Sequence, residues 1–566
     1  MFGQSRKLVK LSENGIAMNS LTIYKSTDRY VFGLIIICCF AFFVHNDVLS
    51  LNIMEARNLV TAREMVSENH WLLPTMNGEL RLEKPPLPTW IAAMGWMISP
   101  QNIFLQRSLA GLVATLLILY FYLTGVLLFK SRVSAFLSSI VLCTSYCTIL
   151  IGRTASWDIY CHSMMMIGIY FLAKAQDLNN HGVKDCLKAG LFFGLSLLSK
   201  GPISFYTLLL PFVLSFLFVY RQLHLEQKQW VVLLATTLLV GGWWYVYVFI
   251  YKMDNSIQAF SKESINWISY NTRSWYYYWS FFIECGIWLF LLLLSLVTPL
   301  WNGTSWKNKK YLFPLCWVLT GLLFLSLIPE KKTRYLFPII LPCCYLMGNT
   351  ITYWINHAYD RSMHYSSRCV FRLNVVLIAA IIFAIPFFCY IRLYQSGDMP
   401  TSFFIGITTV VLYIEFELLL SALRIDPIRW IKNVLLFMMY LECTMWPFLK
   451  KVFDNPEKSS IAQMCDLTLL HEIPFYHSDK EEIRMEIVYA ANKRIRSLDF
   501  SCADSIINKL PMVILTHNPI DEEVPAEMWS LVDSIHLGCF DDNYWPKENR
   551  LYSSQFIYHA TFINKK

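Results

Sequence analysis

Apolar runs of about 15–22 residues recur along the chain, close to the length that crosses the roughly 30 Å hydrocarbon core of a bilayer. They lie at residues 30–44, 108–129, 133–150, 159–173, 187–198, 203–220, 230–251, 279–300, 311–328, 335–355, 373–391, 402–423 and 431–448. The pattern predicts an all-α polytopic membrane protein with about thirteen transmembrane helices. Between the first two runs sits a long polar segment, residues 46–106, with two apolar patterns of its own. Residues 53–69 put Ala56, Leu59, Val60 and Val66 on one helical face and Arg57, Glu64 and Glu68 on another. Residues 87–99 are apolar but short for a span. Both read as interfacial helices of a large first loop.

Charge placement orients the runs. Lys and Arg concentrate in cytoplasmic loops. Arg6, Lys7, Lys10, Lys25 and Arg29 place the N-terminus inside, and Lys130, Arg132, Lys174, Arg221, Lys228, Arg368 and Arg424 then fall on alternate turns. The other polar clusters all land on the opposite side, facing the first loop: RTASWD (153–158), SKGP (199–202), the loop 252–278 and PEKKTRYLFP (329–338). Solvated loops have no need to share one face. Glu, Asp, Lys, Arg and Tyr converging on one membrane surface suit an anionic, lipid-borne substrate.

After residue 449 the character changes. Residues 450–566 read as a small soluble α/β domain, placed outside by the odd span count, with a helix over 479–498 and strands over 511–517 and 554–563. In an oxidising compartment one pair among Cys465, Cys502 and Cys539 is a candidate disulfide. The Asn302-Gly303-Thr304 acceptor pattern falls on the cytoplasmic side and is discounted.

Composition sharpens this picture. Of 566 residues 55% are hydrophobic and only 16% charged, where a soluble protein carries about 25% charged residues. The net charge of +8 is explained by cytoplasmic loops, and no basic stripe with interleaved aromatics points to nucleic acid. Most of the 16 cysteines lie in or near apolar runs, and no paired C-x-x-C motif implies zinc.

Four short motifs carry a family resemblance. MEAR (54–57), EKPPL (83–87), SKGP (199–202) and KKTRYLFP (331–338) resemble those of the aminoarabinose–lipid A transferases. More broadly they resemble the protein O-mannosyltransferase-like branch of the GT-C glycosyltransferases. The resemblance covers roughly the first 350 residues. It implies an inverting membrane glycosyltransferase that takes a sugar from a polyprenyl (undecaprenyl) phosphate and delivers it, on the periplasmic face of a bacterial inner membrane, to lipid A or a related envelope glycolipid.

The resemblance also assigns roles. Arg57 and Lys84 are expected to hold the donor phosphate, with Lys200, Arg273, Lys332, Arg334 and Tyr335 as further phosphate and lipid-headgroup contacts. Glu83 and Tyr277 are candidates for the sugar, and Glu83 also for a divalent metal ion. Asp158 and Glu55 are the candidate catalytic carboxylates. Physical chemistry agrees with the cations: departing polyprenyl phosphate gathers charge that Arg or Lys in a low-dielectric pocket stabilises far better than water does. Lys200, at the end of an apolar run, reads equally as a snorkelling cation.

One departure stands out. The family carries an Asp before the Glu-x-Arg of its motif, the usual candidate base, and here that residue is Met54. Glu55 or Asp158 takes over the role, Asp47 reaches the site, or an already anionic phosphate acceptor needs no strong base; a non-catalytic relative is the remaining reading. A protein hydroxyl acceptor is the rival within the class. A transporter or flippase for a lipid-linked sugar is the rival outside it, but transporters place charged or broken helices near the bilayer midplane. Glu415 and Glu417, in an otherwise apolar run, have no account in this reading.

Overall fold

The computed structural model describes residues 29–176, 182–221, 223–303, 305, 308–360, 362–453, 455, 457–465, 470 and 472–566. The N-terminal cations up to Lys25, together with Thr304, lie outside the described residues.

The chain is mostly helical. α1 (Arg29–Phe42) leads to α2 (Ile53–Glu68), to a hairpin of β1 (Thr75–Met76) and β2 (Glu79–Leu80), and to α3 (Leu87–Ile98). The bundle continues through α4 (Ile103–Phe129), α5 (Arg132–Cys143), α6 (Tyr146–Gly152), α7 (Trp157–Lys174), α8 (Val183–Lys200), α9 (Leu210–Tyr220) and α10 (Gln227–Tyr251). α11 (Met253–Ser269) precedes a 3-10 stretch, Trp275–Trp288, and α12 (Leu289–Leu296) and α13 (Thr298–Trp301) follow. α14 (Lys309–Leu327), α15 (Phe337–Tyr359), α16 (Tyr365–Cys389), α17 (Thr401–Arg424), α18 (Pro427–Thr444) and α19 (Trp446–Phe453) complete the helical part.

Among the described residues seven helical segments are long and apolar enough to cross a membrane, or eight if α5 and α6, bent by 67°, form one broken span. The other predicted runs also fold as helices, but as short, interrupted or more polar ones. The α5–α6 break needs no proline. The Thr144 and Ser145 hydroxyls donate to the Ile140 and Val141 carbonyls, competing with the backbone ladder, and the Trp288 indole N–H donates to Thr144 Oγ1 at 2.9 Å. Small residues let α8 and α10 touch: a Cβ on Gly241 would lie 2.6 Å from the Gly194 carbonyl oxygen. Such close approach is how helices associate where lipid removes the hydrophobic drive.

Three sequence expectations need correction. Within residues 252–278, read as a loop, α11 forms a full helix with no buried residue; Met253, Ile257, Phe260, Ser264 and Ile268 recur at helical spacing, a pattern the loop reading passed over. The helix expected over 479–498 shrinks to α21 (Met485–Ala490), and its end becomes strand β4 (Ile495–Leu498). Asn492 takes a left-handed φ of 52° that stops the helix, and pairing with a neighbouring strand decides the rest. With α20 (Ala462–Cys465), β3 (Phe475–Ser478), β5 (Met512–Thr516), β6 (Val532–Asp541) and β7 (Ile557–Lys565), these elements build a five-stranded sheet of order β4-β3-β5-β7-β6. β3 runs parallel to β4 and β5, and β7 is antiparallel to β5 and β6. Cys502 and Cys539 are both free thiols, so the disulfide considered among these cysteines does not form.

Candidate functional site

The site is built outward from α2. The Asn52 side-chain oxygen accepts from the Met54 and Glu55 amides at 2.9 and 3.1 Å, and Glu55 closes a capping box by accepting from the Asn52 amide at 3.3 Å. Glu55 is fully buried. Its two oxygens accept Nε and Nη2 of Arg107 at 2.9 Å each, the Ala155 amide at 3.0 Å and the Asn52 side-chain amide at 2.9 Å. A carboxylate has about four acceptor positions, so none is left for a substrate proton. The expectation of Glu55 as base is therefore corrected: it ties the first loop to α4 and to the segment leading into Asp158. Arg107 completes the knot by donating to the carbonyls of Asn46, Leu49 and Ser50. Asp47 is exposed.

Two residues past Glu55 the chemistry reverses. Arg57 has no carboxylate within ion-pair distance among the described residues, and its Nε is buried without a partner. Above it lies Arg81, which donates from Nη1 to the Arg57 carbonyl and to Thr61 Oγ1, both at 3.1 Å. The Arg81 guanidinium covers the Trp157 ring at 4.4 Å from its centroid, a cation–π contact. Burial, the largest influence, brings the Arg81 pKa down to about 10; Arg57 pushes the same way, and Glu83 and Glu263 oppose. Arg81 stays charged at neutral pH with no ion-paired carboxylate among the described residues.

EKPP anchors the next cation. Pro85 and Pro86 are buried at the start of α3, which restricts the backbone beside Lys84. Lys84 Nζ bonds Glu263 of α11, and one residue along in both segments Lys262 faces Glu83 at 3.7 Å. Glu83 thus meets a cation. Among the described residues no three His, Cys, Asp or Glu side chains gather as a metal-ligand set, so the residues around Glu83 do not fit a bound divalent ion.

SKGP and KKTRYLFP supply the far wall. Asp158 sits in the first turn of α7, where the helix dipole favours an anion, and pairs with Lys200, the last residue of α8. Gly201 turns the chain with φ +80°, a conformation that favours glycine. Lys200 is buried in this pair, with its ammonium 5.3 Å from the Tyr335 ring centroid, and does not snorkel. Arg334 lies over the same ring at 5.8 Å, its charge acts on Asp158, and its Nε is buried without a partner. The Tyr335 hydroxyl donates to Glu330 at 3.3 Å, and Glu330 pairs with Lys332. The two adjacent lysines diverge. Lys331 donates to the Leu325, Ser326 and Ile328 carbonyls and closes the end of α14; Lys332 turns to Glu330 and the Tyr270 ring.

Asp158, Lys200, Lys332, Arg334 and Tyr335 thus come into linked contacts, Arg57 joins them through Arg81 and the Trp157 ring, and Lys84 meets Glu263, whose charge acts on Arg81. Two sequence candidates stay apart. Arg273 is exposed, and its backbone amide donates to the Pro329 carbonyl at 3.3 Å. Tyr277 packs on Tyr278 at 5.2 Å between centroids, and it is the Tyr278 hydroxyl that bonds the Lys332 backbone. Sequence reasoning missed Arg81, Trp157, Glu263 and Glu330 as site residues. Arg81 lay in the singled-out loop and Trp157 beside Asp158, but Glu263 could be found only by recognising α11.

Comparison with known proteins adds a relationship. Residues 83–245 match the family described as dolichyl-phosphate-mannose-protein mannosyltransferase. An uncharacterized protein of Aquifex aeolicus is 26% identical over 288 residues, 49% of this chain and 55% of that protein. The undecaprenyl phosphate-alpha-4-amino-4-deoxy-L-arabinose arabinosyl transferase 2 of Pseudomonas fluorescens is 23% identical over 347 residues, 58% of this chain and 57% of that enzyme. The matches therefore span a little over half the length of these relatives. The crystal structure of ArnT from Cupriavidus metallidurans bound to undecaprenyl phosphate superposes with a TM-score of 0.66 at 14% identity, covering 94% of this chain and 98% of that one. The chain is similar in sequence to the aminoarabinose transferases, as the motifs imply, and shares the fold of ArnT.

Proposed function

We propose that this chain is an integral-membrane glycosyltransferase that moves a sugar from a polyprenyl phosphate to lipid A or a related envelope glycolipid. The observation that carries the reading is the buried, unneutralised charge at the site. Arg57 and Arg334 each keep a buried Nε without a partner, and Arg81 adds a buried guanidinium without an ion pair among the described residues. Buried cations are costly unless a counter-anion joins them, and a lipid phosphate is such an anion. The names of the relatives support the same chemistry.

In this reading the donor phosphate lies against Arg57 and Lys84, displacing Glu263 from the lysine, with Lys332 and Tyr335 toward the headgroup and Glu83 toward the sugar. The acceptor oxygen attacks the anomeric carbon from the opposite face. The new carbon–oxygen bond forms as the bond to phosphate breaks, and the polyprenyl phosphate leaves with the electron pair onto the fixed cations. Asp158, steered by Lys200 and Arg334, faces the reacting sugar. Met54 cannot accept a proton and Glu55 is fully committed, which favours a phosphate acceptor that arrives already ionised. The match of residues 83–245 to a protein mannosyltransferase family favours a second reading, a protein hydroxyl acceptor, which needs Asp158 as a working base.

The membrane arrangement belongs to the same proposal. Residues 1–449 form the membrane domain of about thirteen spans in a bacterial inner membrane, with the N-terminus cytoplasmic. The first loop and the 450–566 α/β domain are periplasmic. The deciding experiment is mass spectrometry of lipid A from cells with and without the gene. A lost increment equal to one sugar supports the reading. Unchanged lipid A, with a sugar lost from a protein instead, transfers the proposal to the second acceptor.

A further inference from the structure

The C-terminal sheet domain is built onto α2. Val60 of α2 is fully buried within that domain's own core, beside residues such as Ile461, Phe475 and Val513. Arg63 donates from Nη1 to the Val488 carbonyl at 3.0 Å. The Asn77 side chain, in the hairpin, donates to the Ile495 carbonyl at 2.6 Å and accepts from the Ile495 amide at 2.9 Å, an edge contact to β4. Arg494, next to that edge, reaches Glu68 of α2 and, at 3.4 Å, Glu64 Oε2. The same Glu64 oxygen accepts from Thr75 Oγ1 at 2.7 Å and from the Gly78 amide at 3.1 Å.

These contacts make one clasp. Glu64 gathers α2, the hairpin and Arg494 on a single buried carboxylate. Gly78 has φ +88°, and its missing Cβ would point at the Arg494 guanidinium 3.5 Å away, so the hairpin is stacked against this arginine. Only Glu79 and Leu80 separate Gly78 from Arg81, and EKPP follows after Leu82. The same stripe of α2 that bears Glu64 and Glu68 also bears Arg57, two turns nearer the helix start, and receives Arg81 through the Arg57 carbonyl and Thr61. The two segments that carry the site cations, α2 and the hairpin leading to Arg81, are therefore clasped together by one side chain of the C-terminal domain, along the stripe of α2 that carries Arg57.

We infer that Arg494 is a positioning residue for the lipid-phosphate site, and that through it the C-terminal domain sets the placement of Arg57. The inference rests on the proposed role of Arg57 as a phosphate ligand. Small displacements of fixed charges are expensive, since a misplacement of about 1 Å can cost on the order of a hundredfold.

The test is binding of undecaprenyl phosphate to the full chain in nanodiscs, with thermal melting measured alongside. R494A should bind about tenfold more weakly, while R494K, which can still pair with one carboxylate, should recover most of the affinity. The cycle with R57A separates positioning from general damage. If Arg494 acts through Arg57, the double variant binds no more weakly than R57A alone within about twofold, whereas independent losses multiply. Should R494A fail to fold, E68Q removes one partner only and should weaken binding about threefold. R494A binding within about twofold of the parent, or losses that multiply, overturns the inference. An R57A variant that binds like the parent sinks the phosphate-site reading itself.

Discussion

Glu55 and Arg57 are two residues apart on one helix turn, and they do opposite things. Glu55 is a closed ion pair: Arg107 forks onto it, backbone amides fill its remaining positions, and neither partner has anything left to offer. Arg57 is open, with a buried nitrogen lacking a partner among the described residues, and a second guanidinium, that of Arg81, without a carboxylate ion pair among them, donates to its carbonyl. A saturated buried charge holds structure, and an unsaturated one is held ready for a ligand. The adjacent lysines of KKTRYLFP repeat the contrast, Lys331 spent on three helix-end carbonyls and Lys332 turned to the site.

Breaking the closed pair should have the largest effect. R107A strands the Glu55 carboxylate in the protein interior, where losing one partner of a buried pair costs about 3–5 kcal/mol. A large fall in melting temperature with loss of folded yield is expected, and melting within a degree or two of the parent contradicts the assignment. On the open side, R57A should fold normally yet bind undecaprenyl phosphate about tenfold or more weakly, a loss on the order of 1.4 kcal/mol. The binding isotherm read beside an unchanged melting curve checks this. The lysine pair comes next. K331M should lose stability by about 1–2 kcal/mol, the scale of charged hydrogen bonds, with lipid binding kept. K332M should do the reverse, and identical behaviour of the two removes the distinction. The smallest effect sharpens the comparison at Lys84, which Glu263 occupies through a partly exposed pair. E263Q frees the lysine and should tighten undecaprenyl phosphate binding about two- to fivefold, as suits a pair worth about 1 kcal/mol or less. Weaker binding instead makes Glu263 a partner that holds the lysine in place.

Asp158 divides the two acceptors. With a phosphate acceptor, D158N should only lower turnover, because no proton needs removing; with a protein hydroxyl it should abolish it. Sugar transfer measured with each acceptor decides between them.

The sequence by itself determined what depends on neighbours along the chain. Apolar runs mark helices because burial and helical period are local properties. Asn52 and Glu55 mark the start of α2, and Pro85–Pro86 the start of α3, because caps and proline geometry act within a turn. The motifs around Lys84, Lys200 and Lys332 pointed to a shared site through the side on which charge placement puts their loops and through the family resemblance. Tertiary structure decided which charges are spent and which stay free. Glu263 stands 179 residues from Lys84, and Arg494 is 426 residues from Glu68. It also turned residues 495–498 from the expected helix into a strand, by pairing them with β3. Ion-pair partners and sheet edges at such separations are chosen by packing and by the cost of leaving a buried charge alone, and no local pattern in a sequence records that choice.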